Sequence, residues 1–201
     1  MAIFLKSPSR ALKIIRNIIR DLRFGGLFGR TIKTRYANIG AIDTASTEYD
    51  VLPNIFEKLI KPTDVLVDVG CGRGRVIRWW ISEGYSNQII GVELDEEVAT
   101  YAKKQLNKYK NVTIIHGNIL DVIPVNGTIF YLYNPFHRDV MKEFKDRMSE
   151  TFRIKKEVLL VYYNCQHLDL FENDPHWLIQ KRETSDIPFS QGECAIIKLV
   201  G

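Results

Sequence analysis

The chain has 201 residues, enough to bury a core without disulfide or metal staples. Apolar residues make up 45% and charged residues 26%, which excludes global disorder, collagen-like repeats and a membrane bundle. The net charge of +4 is uneven, because residues 1–36 hold nine Lys/Arg against Asp21 alone and leave an acidic remainder.

Residues 9–23 (SRALKIIRNIIRDLR) have helical periodicity. On a wheel of about 100° per residue, Ala11, Leu12, Ile14, Ile15, Ile18, Ile19 and Leu22 share about 160° of arc. Lys13, Arg16, Asn17, Arg20, Asp21 and Arg23 take the other side, and Gly25-Gly26 stops the helix. The first expectation is that the apolar face packs on the core. The other reading lays it on an anionic membrane or an acidic partner. The basic face has no aromatic residue for base stacking, which argues against nucleic acid as a partner. Lys13, Arg16 and Arg20 interrupt any apolar run of the signal-peptide kind. Cys71, Cys165 and Cys194 are too scattered for a disulfide framework or a zinc site. A cytoplasmic protein with reduced thiols, at most peripherally membrane-associated, is the expectation.

Residues 53–60 read as a helix with Pro53 in its first turn. From there strands and helices alternate. Strands are expected at 65–69, 88–92, 112–116, 128–133 and 157–163, and helices at 74–83, 95–108 and 138–151. This rhythm predicts a mostly parallel sheet with right-handed crossovers. Residues 177–183 and 194–200 are strand-like with no helix between them, so an antiparallel pair at the sheet edge completes seven strands.

The chemistry concentrates in Asp64-Val-Leu-Val-Asp-Val-Gly-Cys-Gly-Arg-Gly-Arg75, a buried strand entering a glycine-rich turn and then a helix. The turn permits close approach of a ligand to the backbone, and the helix start adds oriented N–H groups. The glycines at 70, 72 and 74 do not fit the dinucleotide spacing G-x-G-x-x-G, and Arg75 stands one residue beyond the third. No Lys-Ser/Thr follows, so a phosphate-binding P-loop is excluded.

The remaining pattern, Asp68-Val-Gly-Cys-Gly-Arg-Gly, resembles motif I of the class I S-adenosylmethionine-dependent methyltransferases. That resemblance implies a Rossmann-like α/β fold, a three-layer sandwich with a seven-stranded sheet and an additional N-terminal helix. It implies S-adenosylmethionine as cofactor, held by Asp68, Gly70, Cys71, Gly72 and Gly74. Glu93, ending the second strand, stands where the family binds the ribose hydroxyls. Asn118 and Ile119, after the third strand, stand where it binds adenine. Tyr133-Asn-Pro-Phe-His137 resembles the Asp/Asn-Pro-Pro-Tyr/Phe loop of amine-methylating members, with one proline missing. It implies that Asn134 meets both cofactor and acceptor and that His137 is a candidate base. Thr44-Ala-Ser-Thr-Glu-Tyr-Asp50 is similar to a loop of Rossmann-like lysine methyltransferases of the histone type, which implies cofactor contacts from Ser46, Thr47 and Tyr49.

The expected organisation is a basic arm over 1–43 and a methyltransferase domain over 44–201. The expected activity is methyl transfer to an amine or hydroxyl of a protein side chain or small molecule. The alternative is a non-catalytic scaffold that acts through the basic helix.

Overall fold

A computed structural model describes residues 8–28, 35–42, 46–154, 158–184 and 193–200. A helix α1 (Pro8–Arg23) and a single 3-10 turn (Ala37–Ile39) precede a short helix α2 (Leu52–Phe56). The alternating part runs β1 (Val65–Val69), α3 (Arg75–Ser82), β2 (Gln88–Glu93), α4 (Glu96–Leu106) and β3 (Val112–His116). It continues with β4 (Ile129–Tyr133), α5 (Arg138–Thr151) and β5 (Val158–Tyr163). A short α6 (Asp169–Glu172) leads to β6 (Trp177–Thr184) and β7 (Glu193–Leu199).

The seven strands form one sheet in the order β3-β2-β1-β4-β5-β7-β6. The first five pair in parallel, while β7 runs antiparallel to both β5 and β6. This is the expected Rossmann-like sheet with its antiparallel edge pair. The pairing also places β7, the last strand in sequence, inside β6. Helix α2 is shorter than the 53–60 expectation because Glu57 leaves helical geometry (ψ 126°) and Lys58 takes φ 67°.

Strand alternation divides the core into two layers. Val67 and Val69 of β1 pack with Met141, Phe144 and Met148 of α5. Leu66 faces the other way, with Phe56, Trp79 and Trp80. Asp68, two residues from Leu66, therefore points toward the α2–α3 side. The chain leaves β1 toward β2 on one side, and β4 flanks it on the other. That change of direction opens a crevice beyond the carboxyl ends of β1 and β4, where ligands bind in open α/β sheets.

Helix α1 does not pack as first expected. Leu12, Ile15, Ile19 and Leu22 are 61%, 51%, 46% and 58% exposed, whereas Asp21 is 1% exposed. Polar contacts explain the inversion. Asp21 accepts hydrogen bonds from Arg75 Nε (3.1 Å) and Nη2 (2.5 Å), from the Tyr49 hydroxyl (2.8 Å) and from the Phe28 amide (2.9 Å). Arg20 reaches Asp50 at 2.8 Å. Asp21 lies about 180° from Leu12 on the wheel, so seating the carboxylate turns the apolar stripe outward.

Removing one partner of a buried ion pair leaves the other charge uncompensated. Asp21→Asn is therefore expected to lower the unfolding free energy by about 3–5 kcal/mol, read from urea denaturation.

Candidate active site

The glycine turn joins β1 to α3 through residues that need positive φ. Gly70 has φ 72° and Gly72 has φ 54°, values that side chains with a Cβ rarely adopt. The amides of this turn are used internally. Gly70 N and Cys71 N both donate to Val92 O, at 2.9 and 3.0 Å, and Gly72 N donates to Glu93 Oε2 at 2.8 Å. The turn thus offers an open backbone surface rather than an anion nest, and it ties the ends of β1 and β2 together.

Glu93 is 7% exposed, with Oε1 accepting from Asp95 N at 2.9 Å. Burial pushes its carboxyl above the usual range, against the opposing pull of backbone amides at Asp95 and Gly72. Each oxygen retains acceptor capacity, which suits a pair of vicinal hydroxyls. Asp68 is 3% exposed, and its carboxyl is pushed up to about 8, first by desolvation and then by the nearby Glu93 charge. Both carboxylates line one crevice with Thr47, Gly70, Cys71 and Gly72.

Asn118 and Ile119 line the same crevice. Asn118 Oδ1 accepts from Leu120 N at 3.1 Å, so the amide is held in place with its NH₂ group still able to donate. Ile119 is buried and supplies an apolar wall. The site therefore offers hydroxyl acceptors at Glu93, a carboxyl group able to meet a cation at Asp68 and a buried apolar wall at Ile119. These chemistries match the ribose, ammonium and adenine of S-adenosylmethionine.

Other expected residues lie elsewhere. Tyr49 is buried on Asp21 and outside the crevice, so it holds α1 rather than a ligand. Ser46 does line the crevice, with its hydroxyl donating to Phe28 O at 2.7 Å. Gly74 is not part of the crevice wall. An added Cβ there would come within 2.8 Å of Leu106 Cδ1, so its role is close packing of the turn. Asn134 (φ 37°) is 6% exposed, accepts at Oδ1 from the Tyr162 hydroxyl at 2.7 Å and does not line the crevice. His137 is exposed at the start of α5, also outside the crevice wall. In that segment Tyr133, Pro135 and Phe136 are the residues that line the crevice. Thr44 lies outside the described residues.

Several lining residues carried no sequence signal. Tyr36, Ala41 and Ile42 belong to the segment assigned to the arm, yet they line the crevice. Ile42 N donates to Pro135 O (3.1 Å) and His137 N to Gly40 O (2.9 Å), with Ala41 bridging antiparallel to Phe136. This clamp lays residues 40–42 across the 135–137 loop. Arg75, read at first only as a break in the dinucleotide pattern, also lines the crevice, and Nη1 donates to Thr47 O at 3.3 Å. The Thr47 and Tyr131 hydroxyls share a 2.5 Å hydrogen bond between the clamp side and β4.

Asp68 has a measurable signature in stability. Unfolded, its carboxyl ionises near 3.8; folded, it keeps its proton up to about 8. Between those values the native state binds the extra proton, so stability falls as pH rises, by up to about 1.4 kcal/mol per pH unit. Asp68→Asn removes that slope. Its melting temperature at pH 8 is expected to exceed that of the unsubstituted protein, with the gap closing near pH 4, in calorimetric scans across pH.

Residues 66–157 match the family model described as "Methyltransferase domain". Among curated proteins, the chain is similar to ribosomal RNA small subunit methyltransferase A of Dehalococcoides mccartyi. The two are 37% identical over 65 residues, which is 32% of this chain and 22% of the relative. It is 24% identical over 166 residues to the protein of the same name from Coxiella burnetii, covering 69% of this chain and 60% of that one. The chain thus spans less than two thirds of the length of these relatives. A solved RNA methyltransferase from Salinibacter ruber, in complex with S-adenosyl-L-homocysteine, superposes with a TM-score of 0.60. The superposition covers 78% of this chain and 94% of that one at 19% identity, a likeness of fold.

These relatives overturn the expectation against nucleic acid as a partner. That expectation weighed only the aromatic-free face of α1, whereas the crevice wall includes Tyr36, Tyr133 and Phe136. Residues 66–157 thus match a methyltransferase domain, and the fold around them is that of the class I S-adenosylmethionine-dependent methyltransferases, a family whose cofactor is S-adenosylmethionine.

Proposed function

We propose that this protein transfers a methyl group from S-adenosylmethionine to an amine nitrogen of an RNA base. The observation that carries the methyltransferase reading is the shared crevice of the glycine turn, Asp68 and Glu93 at the carboxyl ends of β1 and β2. RNA as acceptor is supported by the ribosomal RNA methyltransferases among the relatives. An amine is supported by the likeness of Asn134-Pro-Phe to the loop of amine-methylating enzymes.

The sulfonium of the cofactor supplies an electrophilic methyl group without assistance from a protein acid. The chain's own residues bind, orient and exclude water. Glu93 accepts hydrogen bonds from the ribose hydroxyls while its other contacts hold it rigid. Asp68, protonated when the crevice lacks a cation, ionises beside the ammonium group of the methionine moiety. Phe136, Tyr133, Tyr36 and the clamp residue Ile42 line the crevice, and in this reading they wall the acceptor side. In-line positioning of this kind supplies about 7–11 kcal/mol of a barrier, so no dedicated acid–base pair is required.

Asn134 acts through the loop. Its positive φ and its bond to Tyr162 fix the turn that carries Pro135 and Phe136 toward the crevice. It is a positioning residue in this reading.

Two outcomes test the proposal. Glu93→Ala is expected to weaken S-adenosylmethionine binding by at least about a hundredfold in calorimetry, since two charge-assisted hydrogen bonds are lost. With tritiated cofactor and ribosomal RNA, label is expected in material sensitive to ribonuclease and resistant to protease. Label in protein alone would overturn the RNA acceptor, and cofactor binding with no transfer to any acceptor would favour a scaffold. Asn134→Ala is expected to lower turnover while leaving cofactor affinity nearly unchanged; equal loss in both would place Asn134 in the binding site instead.

A further inference from the structure

The outward face of α1 is the largest feature that the methyl-transfer reading leaves unused. Leu12, Ile15, Ile19 and Leu22 follow the i, i+3, i+4 spacing and form one stripe about 15 Å long. Ile14 and Ile18, at 39% and 40% exposure, widen it. Solvent exposure of this many aliphatic side chains on a single helix marks an interaction surface. The core cannot cover it, because the Asp21 bonds fix the rotation of the helix.

The charges beside the stripe point to its occupant. On the wheel Arg16 and Arg23 lie about 20–40° beyond Leu12, at the edge of the apolar arc. Both are exposed; the Arg16 side chain retains 64% of its accessible area although one of its nitrogens stands 3.8 Å from Asp50, whose closer partner is Arg20 at 2.8 Å. Long cationic side chains bordering an aliphatic stripe reach lipid headgroups while the stripe enters the acyl boundary. A second copy of the chain would bring like-charged edges together. RNA would meet aliphatic groups that neither stack on bases nor donate to phosphates. No helix among the described residues is long and apolar enough to cross a membrane, so the arrangement is interfacial.

We propose that α1 lies on an anionic membrane surface, with the Leu12, Ile15, Ile19 and Leu22 stripe in the interface and Arg16 and Arg23 at the headgroups. The Asp21–Arg75 pair then ties the membrane-facing helix to the start of α3, directly after the glycine turn. The inference is independent of the acceptor, because vesicle binding is read with neither cofactor nor RNA present.

The test uses the full chain and vesicles of phosphatidylcholine with and without phosphatidylglycerol, read by co-sedimentation at low and high salt. The control is the Ile15→Glu/Ile19→Glu double variant, whose melting temperature is expected to match that of the unsubstituted protein, since both side chains face solvent. Binding is expected to vesicles containing phosphatidylglycerol, to weaken in high salt and to fall at least about tenfold in the double variant. Equal binding by the double variant would overturn the proposal. So would absence of vesicle binding, whether accompanied by a dimer that the double variant dissociates or by RNA binding that it abolishes.

Discussion

The position of β1 in the sheet governs both the site and its electrostatics. Its residues pair on one side with β2 and on the other with β4, both in parallel. The chain departs from its carboxyl end through a turn whose amides bond back to Val92 and Glu93 of β2. Glu93 is thereby held close enough to Asp68 to help raise its pKa. Two carboxylates brought together away from water are unfavourable by themselves. A cationic ligand relieves that cost, so a buried acidic pair in the crevice wall suits a cofactor bearing positive charge.

A second buried carboxylate organises the amino-terminal part. Asp21 joins α1, Tyr49, Phe28 and Arg75 across separations of up to 54 residues. Arg75 lies 5.0 Å from the centroid of the Tyr49 ring, so the charge is flanked by an aromatic face as well as by its counter-ion. A buried pair of this kind contributes little net stability over a well-packed apolar substitute. What it does determine is orientation. The carboxylate has one satisfactory seat, and occupying it faces the aliphatic stripe outward. The same residues link that stripe to the wall of the crevice, since Arg75 belongs to both.

The clamp formed by residues 40–42 and the 135–137 loop has a comparable effect on the acceptor side. It moves part of the expected arm into the wall of the crevice and makes that wall a joint product of two distant segments. The wall carries aromatic residues although the basic helix does not. The surface that binds the acceptor in the proposed reaction and the surface that carries the basic charge are therefore separate.

The sequence by itself determined the alternating sheet, the antiparallel edge and the crevice residues Asp68, Gly70, Gly72 and Glu93. Each depends on local periodicity or on short spacing, and β-strand registry makes such signals legible at the carboxyl ends of neighbouring strands. Tertiary structure decided what depends on rotation or on distant partners. Amphipathic periodicity located α1 but could not say which face turns inward, because Asp21 finds Tyr49 and Arg75 only after folding. Motif likeness pointed to Asn134, but the Tyr162 hydroxyl, 28 residues away, directs its amide oxygen. Ala41 and Ile42 carried no signal, since backbone pairing with the 135–137 loop brings them to the crevice. A side chain's position along the chain is set locally; the direction it faces is set by whichever polar partner must be satisfied when water is excluded.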